Sequence, residues 1–368
     1  MMINVKTPEL YVSEPGAIHL LGTLMGKAAA KAVVVWSETA KKVTQKDVGK
    51  SLENQGITML EYEFAGYPNL DTANAIAIAA LNNRVDFIIG IGGGRVLDTS
   101  KAAGDIANIP VIAVPTIAAT CAAWAALSVM YTKEGDFEHF RANKRSPVIV
   151  VADTSILAQA PVRYLKAGIA DTLAKWYETT GGYDVNNSSL SYMNSVNAAR
   201  LAYDFLLEKA GKVIKNFEEG IIDENSVRTI DAIIFLAGNV GSYVGERAYS
   251  GFAHPFYHSS RSISETRNKL HGEIVAFGLI VQAVLEAKKE KELLEMVEQF
   301  SRLEVAFTLE EIGLTEALED KLSTISERLD EIFPERNLSG NRNKEAIIEA
   351  VYLADAYVKR FREGQKDD

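Results

Sequence analysis

The feature that most constrains the fold is a change of period near residue 155. Before it, apolar runs of strand length recur: AVVVWS (32–37), TMLEYEF (58–64), DFIIGIG (86–92), IPVIAVP (109–115) and SPVIVVAD (146–153). Helix-length segments separate several of them, such as DTANAIAIAALNN (71–83), where Asp71 is the expected N-cap. Alternation of this kind predicts a parallel sheet covered on both faces, with ligands bound beyond the carboxyl ends of its strands. After residue 155 the pattern turns helical, in AGIADTLAKWYETTG (167–181), SVNAARLAYDFLLEKAGKVI (195–214), the long run from Gly272 to Leu303 and the tail from Asn343. The expected architecture is an α/β domain over residues 1–157 and an all-α domain over 158–368, joined near TSILAQAPVRYL (154–165).

Composition excludes more than it selects. The net charge of −10 argues against nucleic acid, whose phosphates call for clustered Lys and Arg. Cys121 is the single cysteine, so neither an intrachain disulfide nor a cysteine zinc cage is available. The stretch VIAVPTIAATCAAWAALSVM (111–130) has the uncharged length of a membrane span. Pro115 and Thr116 interrupt it, and Ala and Thr outnumber Leu in its remainder; it reads as a buried strand, a loop and a short buried segment, with no membrane role. The N-terminal residues lack a basic segment followed by an apolar core, so the expected location is cytoplasmic.

Two groups of residues carry chemistry. Gly90, Gly92, Gly93 and Gly94 stand where a strand meets a helix, an arrangement that offers backbone N–H groups and a positive helix end to a phosphate. Arg95 occupies the place where the usual G-x-G-x-x-G fingerprint of a Rossmann-like sheet has glycine, and no P-loop Lys follows. The second group draws on three of the five histidines: His254 and His258 four apart, and His271 opening an apolar helix. Two helix-borne imidazoles with one carboxylate form the ligand set of catalytic zinc or non-haem iron, and Glu273 and Asp171 are both candidates for the carboxylate.

Five ordered motifs covering most of the chain resemble the glycerol dehydrogenase branch of the metal-dependent (iron-containing type) alcohol dehydrogenases, distant relatives of dehydroquinate synthases. They are GGGRVLDTSK (92–101), VPTIAATCAAWAALSVMY (114–131), AGIADTLAKW (167–176), AHPFYH (253–258) and HGEIVAFG (271–278). The resemblance implies a dehydroquinate synthase-like two-domain architecture. It implies an NAD pyrophosphate held at Gly93, Gly94, Arg95 and Asp98, and a cofactor wall of Thr116, Ala119, Ala125, Leu127 and Tyr131, with Leu127 and Tyr131 toward the nicotinamide. The implied metal ligands are Asp171, His254 and His271, which leaves Glu273 as a supporting or helix-start residue. His258 resembles the family's second histidine displaced by one position, near substrate or nicotinamide, and is the expected proton carrier. Iron-using relatives add a histidine four residues after the aspartate; Lys175 stands there, which favours Zn2+ over Fe2+. Homo-oligomers and a small-molecule substrate also follow from the resemblance.

Two departures bear on specificity. The branch's substrate-binding aspartate is replaced by Cys121, which removes a carboxylate that would accept bonds from a polyol and repel an anion. A 2-hydroxy acid/2-oxo acid couple is therefore the expected chemistry, with glycerol/dihydroxyacetone as the alternative; a dehydroquinate synthase-like lyase and a non-catalytic NAD-binding protein are the rivals of other classes. Ser37 stands where many relatives carry an aspartate on the ribose 2′-OH, which leaves the cofactor open between NAD and NADP.

Overall fold

The computed structural model describes residues 5–26, 28–181, 183–244, 251–334 and 343–364. Among the described residues, eight strands lie before residue 154: β1 (Leu10–Glu14), β2 (Lys31–Trp36), β3 (Thr58–Glu63), β4 (Phe87–Gly92), β5 (Val111–Pro115), β6 (Leu127–Tyr131), β7 (Phe137–Ala142) and β8 (Ile149–Asp153). Six of them form one parallel sheet in the order β1-β8-β5-β4-β2-β3. Helices α1 (Leu21–Leu24), α2 (Glu38–Glu53), α3 (Leu70–Asn83) and α4 (Gly94–Ala107) cover it. The two faces segregate by the period of two. Val34, Trp36, Ile89 and Ile91 pack with α2 on one side, while Val33, Val35 and Ile88 pack with α3 and α4 on the other.

The chain leaves β2 toward β3 and returns to β4 on β2's other side, so strand order reverses between β2 and β4. That crevice is where an open α/β sheet receives its ligand. Ser37, Gly93 and Thr116 directly follow the carboxyl ends of β2, β4 and β5.

Beyond Asp153 the described residues are helical: α5 (Thr154–Gln159), α6 (Val162–Thr180), α7 (Leu190–Glu218), α8 (Glu224–Asp231), a π turn (Ala232–Leu236), α9 (Ala237–Val244), α10 (Ala253–Ser260), α11 (His271–Leu285), α12 (Glu290–Arg302), α13 (Leu318–Ile332) and α14 (Lys344–Gly364). Asp153 makes the turn from sheet to helices. Its carboxylate caps α5 at Ser155 and Ile156 and accepts from the N–H groups of Gly16 and Ile18. The α/β-then-α architecture is as expected. No helix among the described residues is long and apolar enough to cross a membrane.

Three local details differ from expectation. Asn69, not Asp71, caps α3 by accepting from Thr72 N–H at 2.9 Å; Asp71 sits in the first turn and pairs with Lys133 on the surface. The strand β1 pairs with β8 at one edge of the sheet. The buried end of the 111–130 stretch is strand β6, which forms an antiparallel ribbon with β7.

Candidate dinucleotide and metal site

The glycine loop closes the crevice on one side. Gly92 ends β4 at φ +153, and a Cβ there would lie 2.8 Å from Val96 Cγ2, so only glycine lets the chain turn into α4 at this point. Gly93 occupies the N-cap in extended backbone with no side chain to cap the helix, leaving the first N–H groups of α4 facing outward as an anion cradle. Gly93 and Gly94 are half-buried, and the exposed Arg95 lays its guanidinium 4.2 Å over the ring of Tyr67.

Asp98 turns inward. Its carboxylate pairs with Lys101 at 2.8 Å and accepts from Val129 N–H at 3.2 Å. Burial pushes it up, and Lys101 offsets part of that rise. The Lys101 ammonium also donates to the carbonyls of Ala122, Ala125 and Leu127. Together the pair ties α4 to the loop 116–126 and to β6. On that loop Thr116, Ala119 and Ala125, with Leu127 at the start of β6, stay half-buried along the crevice. Tyr131 is buried against Tyr67 and Phe137, and its hydroxyl is held well above the usual tyrosine range by burial and by the neighbouring Tyr257.

The candidate metal ligands come from three helices. Asp171 lies on α6, His254 on α10, and His271 is the first residue of α11. Asp171 Oδ1 is 3.1 Å from His254 Nε2 and 3.0 Å from His271 Nε2, and one ligand atom from each residue falls within 4.8 Å of the others. Donors around one tetrahedral ion with bonds of 2.0–2.1 Å lie about 3.3 Å apart, so this N,N,O set, with Asp171 and His254 buried and His271 half-buried, fits zinc or a similar dication. Glu273 is excluded as a ligand because its carboxylate is used elsewhere. Arg163 binds it through Nε and Nη2 at 2.6 and 2.8 Å, and it caps α11 at Leu270 N–H.

Electrostatics reinforce the set. Burial alone would raise the Asp171 carboxyl, but Lys175 and the two imidazoles hold it well below the usual carboxylate range. Burial likewise opposes charge on His254, yet Glu178 and Asp171 raise it to about 9. Burial lowers His271 and holds His258 well below an ordinary imidazole, so His258 is neutral. Its ring packs against Phe137, Phe140 and Tyr257, and its Nδ1 has no hydrogen-bond partner among the described residues. Tyr257 lies between His258 and His271, 4.2 Å from the latter ring, and its phenol reaches toward Tyr131. Cys121 is a buried thiol raised by desolvation and set in the fields of Lys175 and Asp171.

Glu178 is a site residue that the motifs alone do not reveal. One carboxylate oxygen accepts from His254 N–H at 3.1 Å, and the other contacts His254 Nδ1, which aims Nε2 at Asp171. Its position seven residues after Asp171 on one helix is the signal the sequence carries. Glu178→Gln is expected to weaken zinc affinity by roughly 10- to 100-fold, as loss of a histidine-orienting carboxylate does. Competition with a zinc chelator measures it, and an unchanged affinity would remove Glu178 from the site.

The chain is similar to proteins of one known family. Residues 8–154 match the family model of iron-containing alcohol dehydrogenases. A glycerol dehydrogenase of Pseudomonas putida is 31% identical over 366 residues, 98% of this chain and 99% of that one. Hydroxycarboxylate dehydrogenase A of Escherichia coli K12 is 30% identical over 310 residues, 84% of each chain. The crystal structure of glycerol dehydrogenase from Schizosaccharomyces pombe superposes with a TM-score of 0.88 at 25% identity, over 99% of this chain and 93% of that one. The relatives identify an oxidoreductase acting on CH–OH donors, from a family of NAD-dependent, metal-containing dehydrogenases. The chain belongs to the iron-containing alcohol dehydrogenase family, in its glycerol dehydrogenase-like branch.

Proposed function

We propose that this dehydrogenase interconverts a small 2-hydroxy acid and its 2-oxo acid, using zinc and either NAD or NADP. The observation that carries the reading is Cys121, a buried thiol in the fields of Lys175 and Asp171, at the position where the resemblance implies a substrate-binding carboxylate. A thiol neither accepts strong bonds from a polyol nor repels an anion. The relative named hydroxycarboxylate dehydrogenase A supports the same choice. A second reading, glycerol/dihydroxyacetone, draws support from the glycerol dehydrogenase name that recurs among the relatives.

When bound, the metal supplies Lewis acidity to the substrate oxygen and the nicotinamide supplies the hydride donor or acceptor. The protein's part is placement. Asp171, His254 and His271 would hold the ion, with His254 oriented by Glu178 and α11 capped by Glu273. The α4 N-terminus and Arg95 would receive the dinucleotide phosphates, and the loop held by Lys101 would line the nicotinamide side. His258 is a neutral acceptor within the helix that carries His254, with Tyr257 beside it, and these two are the side chains proposed to pass the substrate proton. Ser37 accepts from Ala40 N–H as the cap of α2, and the neighbouring Glu38 pairs with Lys42, so the end of β2 presents a hydroxyl where a 2′-phosphate would meet it.

Steady-state reduction of 2-oxobutyrate and of dihydroxyacetone, each with NADH and NADPH, tests the proposal. The expected result is a kcat/KM at least about tenfold higher for the oxo acid, the scale of one lost or gained charged contact, and turnover with both cofactors. Preference for dihydroxyacetone would overturn the substrate reading, and strict NADH dependence would overturn the cofactor reading.

A further inference from the structure

We propose that Trp124 is a positioning residue for hydride transfer, a key that registers the cofactor side of the cleft with the metal side. Trp124 lies on the segment between β5 and β6, three residues after Cys121, and is only 5% exposed. Its ring crosses from the α/β domain into the helical one. There it fills a notch at Gly238 on α9, where a Cβ would lie 2.4 Å from Trp124 Cγ. Its Nε1 donates to Ser242 Oγ at 3.1 Å, one turn further along the same helix. Phe235, in the π turn that precedes α9, and Tyr11 of β1 close on the ring at centroid distances of 5.2 and 5.8 Å. Tyr11 is fixed in turn by its bond to Asp231 at 2.7 Å. An indole enclosed by packed rings and bonded at its one polar atom is held in a single orientation.

The consequence falls on Cys121. The N–H of Trp124 donates to the Cys121 carbonyl at 2.9 Å, so indole and thiol share one tight turn. The other flank of that turn is seated as closely, because a Cβ on Gly168 would lie 2.1 Å from the Ala118 carbonyl oxygen. Gly168 stands on α6, three residues before Asp171. The Cys121 turn is therefore pinned to the helical domain on both sides, at Ala118 and at Trp124. Lys101 settles the course of the segment within its own domain. Trp124 settles where that course lies against α6 and the candidate metal ligands. A hydride leaving nicotinamide C4 for a carbonyl carbon, whose oxygen then takes a proton, must cross between groups held by the two domains. Misplacement by about 1 Å costs on the order of a hundredfold in rate. The assignment rests on the reading that this segment lines the nicotinamide, and it holds for either carbonyl substrate.

The test begins with the protein free of metal and cofactor. In Trp124→Leu, amide hydrogen exchange over α9 is expected to speed up by at least about tenfold, while β6 stays protected. Trp124→Phe, which keeps a ring in the notch, exchanges like wild type. In the zinc-loaded enzyme, single-turnover oxidation of bound NADH is followed by absorbance, with NADH and with NADH deuterated at C4. The substrate is whichever of 2-oxobutyrate and dihydroxyacetone the wild type reduces faster. The Leu variant is expected to slow roughly 10- to 100-fold with a primary isotope effect, at unchanged zinc content and with NADH affinity within about threefold. The Phe variant recovers most of the rate. Gly238→Ala, which drives the ring from its notch, matches the Leu variant, and the double variant is no slower than either. A folded Leu variant with wild-type exchange, or with a rate within about threefold of wild type, overturns the assignment. So does equal slowing in the Phe variant, a slowed step without an isotope effect, or loss of zinc or NADH in proportion to rate, each of which makes Trp124 ordinary packing. Failure of the parent reading looks different: Ala125→Leu, on the half-buried crevice side of the same segment, would then leave NADH affinity unchanged.

Discussion

Asp171→Asn is expected to lose the capacity to bind a metal dication and, with it, at least about a thousandfold in kcat/KM, since several kcal/mol of charge stabilisation depends on such an ion. The substitution keeps the shape of the side chain and removes its charge. Both imidazoles address one oxygen of this carboxylate, at 3.0 and 3.1 Å, so no other group among the described residues joins them. Lys175 stays in place and sets a buried positive charge against the vacated centre. Metal content of the purified variant, read by atomic emission beside its activity, checks the result. Stoichiometric zinc with activity within tenfold of wild type would show that the three residues do not form the metal site.

The second large effect is expected from a methyl group. Gly272 follows His271, and a Cβ on it would lie 1.8 Å from the carbonyl oxygen of Ala167 on α6. Backbone cannot yield there as a flexible side chain would. Gly272→Ala must therefore push α11 away from α6, carrying His271 off while Asp171 stays with α6. Overpacking of this kind costs about 1–3 kcal/mol, and displacing a reacting group by about 1 Å costs on the order of a hundredfold in rate. The variant should melt several degrees lower, bind zinc more weakly and lose roughly a hundredfold in kcat/KM. Gly211→Ala is the control, because a Cβ on exposed Gly211 in α7 meets nothing within 4 Å and is expected to stabilise by about 1 kcal/mol. Equal behaviour of the two variants would refute the close-approach account.

Much of this was legible in one dimension, for reasons that particular residues make plain. The five apolar runs announced the sheet because strands buried on both faces must be nearly continuous in Val, Ile and Ala, as Ile112, Ala113 and Val114 are. The edge strand β1, LYVSE, escaped because half its pattern is polar and its partner β8 lies about 140 residues away. Pairing, not propensity, makes it a strand. Strand β7, FEHFRA, was hidden by its charges, Glu138 exposed on a two-stranded ribbon and Arg141 turned to Asp105. Asp171 and Glu273 could not be separated by residue type or spacing, since both are buried acids on helices. The difference lies in Arg163, which reaches across from α6 to occupy Glu273 and leaves Asp171 for the imidazoles. Glu178 was available to helical arithmetic, because Asp171, Lys175 and Glu178 fall on one stripe.

The Lys101 ammonium, bonded to three carbonyls of the segment 122–127, has a consequence for how such enzymes diverge. Carbonyl oxygens are the same in every residue type, so the course of that segment is anchored without reference to the side chains it bears. Exchanges at Cys121 or its neighbours can rewrite what the pocket displays while the rail beneath it keeps its line. Substrate preference is thereby free to drift while the course of the segment is kept.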